Sequence, residues 1–331
     1  MGGRHTGKAI LGAAALMALS ACGGGGATGS SEGGLTPVKL GMAVEKDAAN
    51  MAFVVADRQG IYEDCGLDAQ VTFFEGGGAL VPPLTVGEVD YGWVGTTTIL
   101  SAIEEGAPIK TVAEVNQTVA GWGLVVPADS PIKTLDDLKP GVKISVTSEG
   151  ALSHWFALWA IDQAGVKPDD MRAVPLGGSV PAIRTALEKG DIDAAVVLLP
   201  WGQMLEKDGM RWVSKFAEEL PKLTFTGLHA SERALQDEET ASKVVGAYVK
   251  AVQWLKDNPE QAKTFIADFY AVEPDLADEI YTLVVSDYNR TGEFAVQDME
   301  YLIETVGEIP GFIEGTAKAE DVLHNIEPAD C

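Results

Sequence analysis

Three consecutive threonines, Thr96-Thr97-Thr98, follow directly on an apolar run that closes with Gly95. Hydroxyls and free backbone N–H groups at a helix start can hold an anion or another polar oxygen, so the triplet could bind an oxyanion without an arginine. A second hydroxyl-bearing helix start, Ser148 to Ser153 with Glu149 and Gly150 between, offers the same chemistry. Opposite in sign are Glu45, Asp47, Glu75 and Glu149, all in segments that follow strand-like runs. Four carboxylates suit an ammonium, amidinium or guanidinium group, because a desolvated charge must be paired, and they suit nitrate poorly. Trp122 and Trp201 could stack on a flat or cationic solute, whereas Trp93 and Trp155 read as core. His154 either faces the same space or is a satisfied structural histidine, and Arg184 reads as a solvated helix residue.

Two copies of one pattern position these groups. The first runs from Val71 through Gly76-Gly77-Gly78, a short helix and Gly87-Glu88-Val89-Asp90 to the strand before Thr96. The second runs from Val174 through Gly177-Gly178, a helix capped by Ser179 and ended by Gly190, then Asp193, to an apolar strand closing at Pro200-Trp201. A run such as Ala194 to Leu199, apolar without alternation, predicts a parallel strand covered on both faces. Strand, glycine turn, helix, strand, given twice, predicts two α/β lobes built alike, with ligand-binding loops at the carboxyl ends of the strands. Further strands are predicted over 38–44, 67–74, 109–115, 124–126 and 142–146, and helices over 50–60, 99–105 and 151–164. From residue 231 onward the pattern predicts helices over 238–257, 259–270, 274–289 and 296–306, with apolar faces that cover the first lobe.

Catalytic patterns are not found in the sequence. It holds no Ser–His–Asp spacing, phosphate loop or metal-binding helix, and its four histidines (His5, His154, His229, His324) are scattered. No catalytic residue, metal or cofactor is expected, and the chain is not expected to be an enzyme. The formal net charge of −25 argues against nucleic acid and anionic lipid surfaces as partners.

Residues 1–22 read as a sorting segment. Arg4 and Lys8 precede an apolar run from Ala9 to Leu19, too short to span a bilayer, and then Leu19-Ser20-Ala21-Cys22. That tetrapeptide resembles the bacterial lipoprotein cleavage box, which implies a lipid on Cys22, and 23–36 form a Gly/Ser-rich tether. The expected location is the outer side of a membrane, periplasmic or at the cell surface, held by that lipid. With Cys22 lipidated, Cys65 and Cys331 remain, either bridged or as two free thiols.

An ordered series of segments carries a family resemblance. V-K-L-G-M-A-V, A-D-R-Q-G-I-Y-E-D-C-G-L-D-A, G-E-V-D-Y-G-W-V-G-T-T-T, S-P-I-K-T-L-D-D-L-K-P-G and A-L-E-K-G-D-I-D-A-A-V-V-L-L-P together resemble solute-binding proteins of the nitrate/sulfonate/taurine class of ABC importers. The L-E-K-D-G at Leu205 to Gly209 brings the taurine branch nearest. The resemblance implies a type II periplasmic-binding-protein fold, with two Rossmann-like lobes joined by a two-segment hinge. It assigns 37–123 and 226–331 to the first lobe and 124–225 to the second. It implies a small-molecule solute, an ABC permease and its ATPase as partners, and a monomer. The contact loops it implies are Glu45 to Asp47, Glu75 to Gly78 with Gly77, Gly95 to Thr98 with Thr96 and Thr97, Gly121-Trp122, Ser148 to His154 with Glu149, Gly150 and Ser153, Gly177-Gly178, and Pro200-Trp201. An amino-sulfonate such as taurine fits hydroxyls and acids together. A guanidine or a pyrimidine vitamin precursor is the alternative, and nitrate comes last. The same superfamily includes pyrimidine-precursor synthases, whose Cys-rich motif and Lys–His arrangement are not matched here.

Overall fold

The computed structural model describes residues 34–220 and 223–331. The segment 1–22 read above as a sorting segment, with Cys22 as its expected lipidation residue, and most of the expected tether lie outside the described residues. Among the described residues no helix is long and apolar enough to cross a membrane.

Alternation at the start of the first strand, β1 (Thr36–Met42), puts Val38 and Leu40 inside and Lys39 outside, and its last three residues are all buried. It therefore begins at the surface and ends inside the molecule. β1 pairs in parallel with β2 (Leu67–Phe73) on one side and with β3 (Tyr91–Gly95) on the other. Helices Met51–Arg58 and Gly77–Thr85 form the crossovers. β4 (Ile109–Asn116) stands at the far edge of this five-stranded sheet.

The chain then builds a second sheet. It comprises β5 (Gly123–Pro127), β6 (Lys143–Val146), β7 (Arg172–Pro175), β8 (Ala194–Val197) and β9 (Met210–Lys215). Here β6 pairs in parallel with β7 and β8, with helices Leu152–Gln163 and Val180–Lys189 as crossovers. After β9 the chain returns as β10 (Thr226–Ser231), antiparallel between β3 and β4. The sheet orders are β2-β1-β3-β10-β4 and β7-β6-β8-β5-β9, the same arrangement twice. In each, successive parallel strands fall on opposite sides of the first one, and a crevice opens at such a switch point.

Two chain segments run between the sheets, Asn116 to Gly123 and Lys215 to Thr226. An aromatic cluster supports both. Trp122 packs on Phe156 at 5.2 Å between ring centroids, and Phe156 meets Phe216 at 4.8 Å and Phe225 at 5.2 Å. Beside it, buried Glu114 accepts hydrogen bonds from Thr224, Asn289 and Gln117, joining both segments to the C-terminal region.

The late helices pack against elements of the first sheet. Glu238–Asp257 packs on Met51–Arg58 through Phe53 and Tyr248, whose rings stack at 5.4 Å. Cys65 and Cys331 are bridged, with Cα atoms 4.9 Å apart across 266 residues of sequence, and Lys250 donates to the Cys331 carbonyl. Sequence periodicity did not resolve the helix Trp201–Lys207 or β9, because both are short and sit in a mixed polar stretch.

Candidate functional site

The carboxyl ends of both sheets face one another across a closed seam. Gly78 N–H donates to Ser148 Oγ at 3.3 Å, and Ala48 N–H donates to the Leu199 carbonyl at 3.0 Å. Inside the seam is a cavity of about 30 Å³, lined by Asp47, Gly77, Trp93, Gly95 and Thr98 from the first sheet's loops, by Thr147, Leu152 and Ser153 from the second's, and by Trp122 and Thr226. A second, of about 10 Å³, shares Asp47 and Trp122 and adds Asn116, Leu199 and Asp287. Ligand pockets usually hold about 300–1,000 Å³, so an organic solute enters only if the lobes part. Outside the seam an open groove of about 760 Å³ runs between Glu45, Lys46 and Glu75 on one bank and Gly177, Gly178 and Ser179 on the other.

Polar capacity in the seam is unevenly used. The helix Thr96–Glu104 opens with Thr96, Thr97 and Thr98, all buried, and no side chain caps it. The Thr96 N–H is taken by the Phe225 carbonyl at 2.6 Å, yet none of the three hydroxyls has a partner, and neither has Trp93 Nε1. Buried polar atoms are nearly always satisfied, so three orphans at one helix start, with a fourth on the strand before it, mark a place where something polar belongs. The opposing start is already satisfied. Ser153 Oγ accepts from the Thr147 N–H at 2.9 Å and bonds the Thr147 hydroxyl at 2.8 Å.

A neutral histidine holds the threonine loop from beneath. His229 Nε2–H donates to the Val94 carbonyl at 3.2 Å, and Nδ1 accepts from Thr111 at 3.0 Å. Burial pushes its pKa down to about 3, so it stays uncharged and ties β3 and β4 to β10.

Asp47 is the acid inside. It is 3% exposed, and its Oδ1 accepts from the Ala49 N–H at 2.9 Å. Burial pushes its pKa up to about 7, only partly offset by that bond. An acid raised in the folded state contributes most below its unfolded pKa, near 4, and loses that contribution as pH rises through about 7. The unfolding free energy of the wild type minus that of Asp47→Asn is therefore expected to fall by about 1.4 kcal/mol per pH unit between about pH 4 and 7, then level off. Urea titrations across that range check it, and a flat difference would mean a hydrated carboxyl.

The other residues singled out in the sequence separate into three groups. Gly77, Trp122 and Ser153 line the inner cavity with Asp47, and Thr96 and Thr97 stand one step behind Thr98. Glu45, Glu75 and Gly178 lie in the outer groove, with both carboxylates exposed, and Ser148 bridges the seam. The rest line neither space. Glu149 is exposed, and His154 Nδ1 accepts from the Gly150 N–H at 3.1 Å while its ring meets Phe312. Pro200 and Trp201 are buried, and Trp201 packs under Gly178 rather than offering a stacking face. Trp93, read as core, lines the inner cavity and has an unpartnered N–H, and Thr98, Thr226, Asn116 and Asp287 also belong to the lining.

A family model described as "NMT1/THI5 like" matches residues 48–262. The chain belongs to the NMT1/THI5-like family. Two solved structures share the architecture of this NMT1/THI5-like protein. The Candida albicans CA3427 gene product, described as having the generic periplasmic-binding-protein fold, aligns with a TM-score of 0.74 at 14% identity over 90% of this chain and 99% of that one. The alkanesulfonate-binding protein SsuA of Xanthomonas axonopodis pv. citri, bound to MOPS, aligns with a TM-score of 0.73 at 20% identity over 87% and 98%. In sequence, the taurine-binding periplasmic protein of Escherichia coli is 32% identical over 136 residues, 41% of each chain. The NMT1/THI5-like chain thus has the α/β periplasmic-binding-protein fold.

Proposed function

We propose that this protein is the solute-binding component of an ABC importer, closing two lobes on a small polar solute and delivering it unchanged to a permease and its ATPase. The single observation that carries the reading is a set of buried, unpartnered groups at the interlobe cavity: the Thr98 hydroxyl and Trp93 Nε1 on residues that line it, and the hydroxyls of Thr96 and Thr97 directly behind Thr98. Those donors suit an oxyanion, and a sulfonate fits them best. The named functions of the SsuA and taurine-binding relatives support the same class. Taurine and related amino-sulfonates are the proposed solutes. Closure needs only that the solute bind the closed form better than the open one.

Thr98→Val keeps the side chain's shape and removes its hydroxyl. The expected outcome is an affinity for taurine about tenfold lower by calorimetry, the usual cost of a buried hydrogen bond lost to a charged group. Unchanged affinity, or no heat with any sulfonate, would refute the site. The chain is further proposed to act as a monomer outside the cytoplasm, tethered by a lipid on Cys22. Cys22→Ser is expected to move it from the membrane fraction to the soluble one, and retention at the membrane would refute the anchor.

A further inference from the structure

We infer that Asp47 and Asp287, with Asn116 and Trp122 beside them, form a second subsite that takes the protonated nitrogen of the solute, so that the receptor selects cationic-nitrogen solutes over plain anions. The inference rests on the proposed function, since it places the subsite in the same closed seam.

Two acids from distant parts of the chain meet one small cavity. Asp47 comes from the loop after β1, and Asp287 is the last residue of the helix Pro274–Asp287. Asp287 is 7% exposed, and its Oδ1 has no hydrogen-bond partner, although Thr118 and Asn116 flank the carboxyl. None of the ion pairs among the described residues includes either acid. A buried carboxyl without a cation is costly as a charge, and burial pushes Asp287 up to about 6 and Asp47 to about 7. Without a partner the two acids are relieved by taking up protons, and a cation arriving from outside the chain would let both stay ionised and paired.

Leu199, Leu283 and Val284 complete the cavity wall, so an incoming cation would be screened from water and held strongly. Trp122 lines both cavities, which puts an aromatic residue beside such a group. A plain sulfonate or nitrate could satisfy the threonine side but would leave both acids unpaired. Asp47 borders both cavities, so a solute held at the threonine side, once the lobes part to admit it, has the acids as its neighbours.

Taurine and isethionate, which differ only in amine against hydroxyl, are titrated calorimetrically into the full chain and into Asp47→Asn, Asp287→Asn and Asp287→Glu. A reversibly unfolded fraction raises both dissociation constants by the same factor, so the taurine-to-isethionate ratio is unaffected, and irreversibly inactive protein lowers only the stoichiometry. The wild type is expected to prefer taurine by on the order of 100-fold, and both Asn variants to reduce that preference to within about threefold, the loss expected when one partner of a buried charge pair is removed. Asp287→Glu, which keeps the charge, is expected to retain most of the preference. Equal binding in the wild type, or a full preference in Asp287→Asn, overturns the subsite while leaving a working receptor. If neither sulfonate binds, the sulfonate reading fails, and methylguanidinium at about 10 mM decides the subsite alone. A rise in wild-type melting temperature that is absent from both Asn variants supports it, and no rise overturns it.

Discussion

Valine in place of Gly95 is expected to lower solute affinity by on the order of 100-fold while leaving the protein folded, since overpacking costs about 1–3 kcal/mol. Gly95 closes β3 and borders the inner cavity, and a Cβ built there would stand 2.7 Å from Leu152 Cβ. Leu152 begins the first crossover helix of the opposite sheet, so any side chain at position 95 becomes a wedge between the lobes. The backbone at Gly95, with φ −58°, is open to every L-residue, so the open form pays no strain. Small-angle scattering gives the second readout. Solute should shrink the wild type's radius of gyration and leave that of the variant unchanged. Wild-type affinity in Gly95→Val would mean that the lobes need not meet at this point.

The second large effect concerns stability alone. Replacing Cys65 and Cys331 together by alanine is expected to lower the unfolding free energy by about 2–5 kcal/mol, the usual loss for a native bridge closing a long loop. The bridge lies just before β2, at the amino end of its sheet, whereas the cavity lies at the carboxyl ends. Solute affinity measured well below the melting point should therefore stay within about threefold of wild type. Denaturant titrations under oxidising conditions check the first expectation. A loss under about 0.5 kcal/mol would show that the late helices hold the C-terminus without it.

How far the sequence discloses this molecule depends on the range of the interaction involved. Local signals carried well: Glu238–Asp257 and Pro259–Tyr270 begin and end where their caps and periodicity put them. Ser179 caps its helix by accepting from Ala182 N–H, as a serine before an apolar run should. The glycine turns and the threonine triplet sit at strand ends because strand, turn and helix follow one another within a few residues. What a loop residue faces is a different matter. Of the four acids in strand-end loops only Asp47 points inward, because the hydrogen bond to Ala49 fixes it, while Glu45, Glu75 and Glu149 turn to solvent.

The overlooked residues were set by long-range placement. Trp93 reads as core because it lies in an unbroken apolar strand, and its free N–H shows only once β10 is in place beside it. Asp287 sits at the end of an ordinary amphipathic helix, and nothing near it in sequence marks it as a neighbour of Asp47. Cys65 and Cys331 could be counted but not paired, since pairing requires the late helices to lie on the first sheet.

Native mass spectrometry of the chain mixed with taurine, with the bound molecule ejected and weighed, asks most directly whether this is a receptor that grips and releases. A clamshell receptor predicts one solute per chain, ejected at its original mass, with occupancy falling in both Thr98→Val and Gly95→Val. An ejected molecule of altered mass, or equal occupancy in the wild type and both variants, would contradict it.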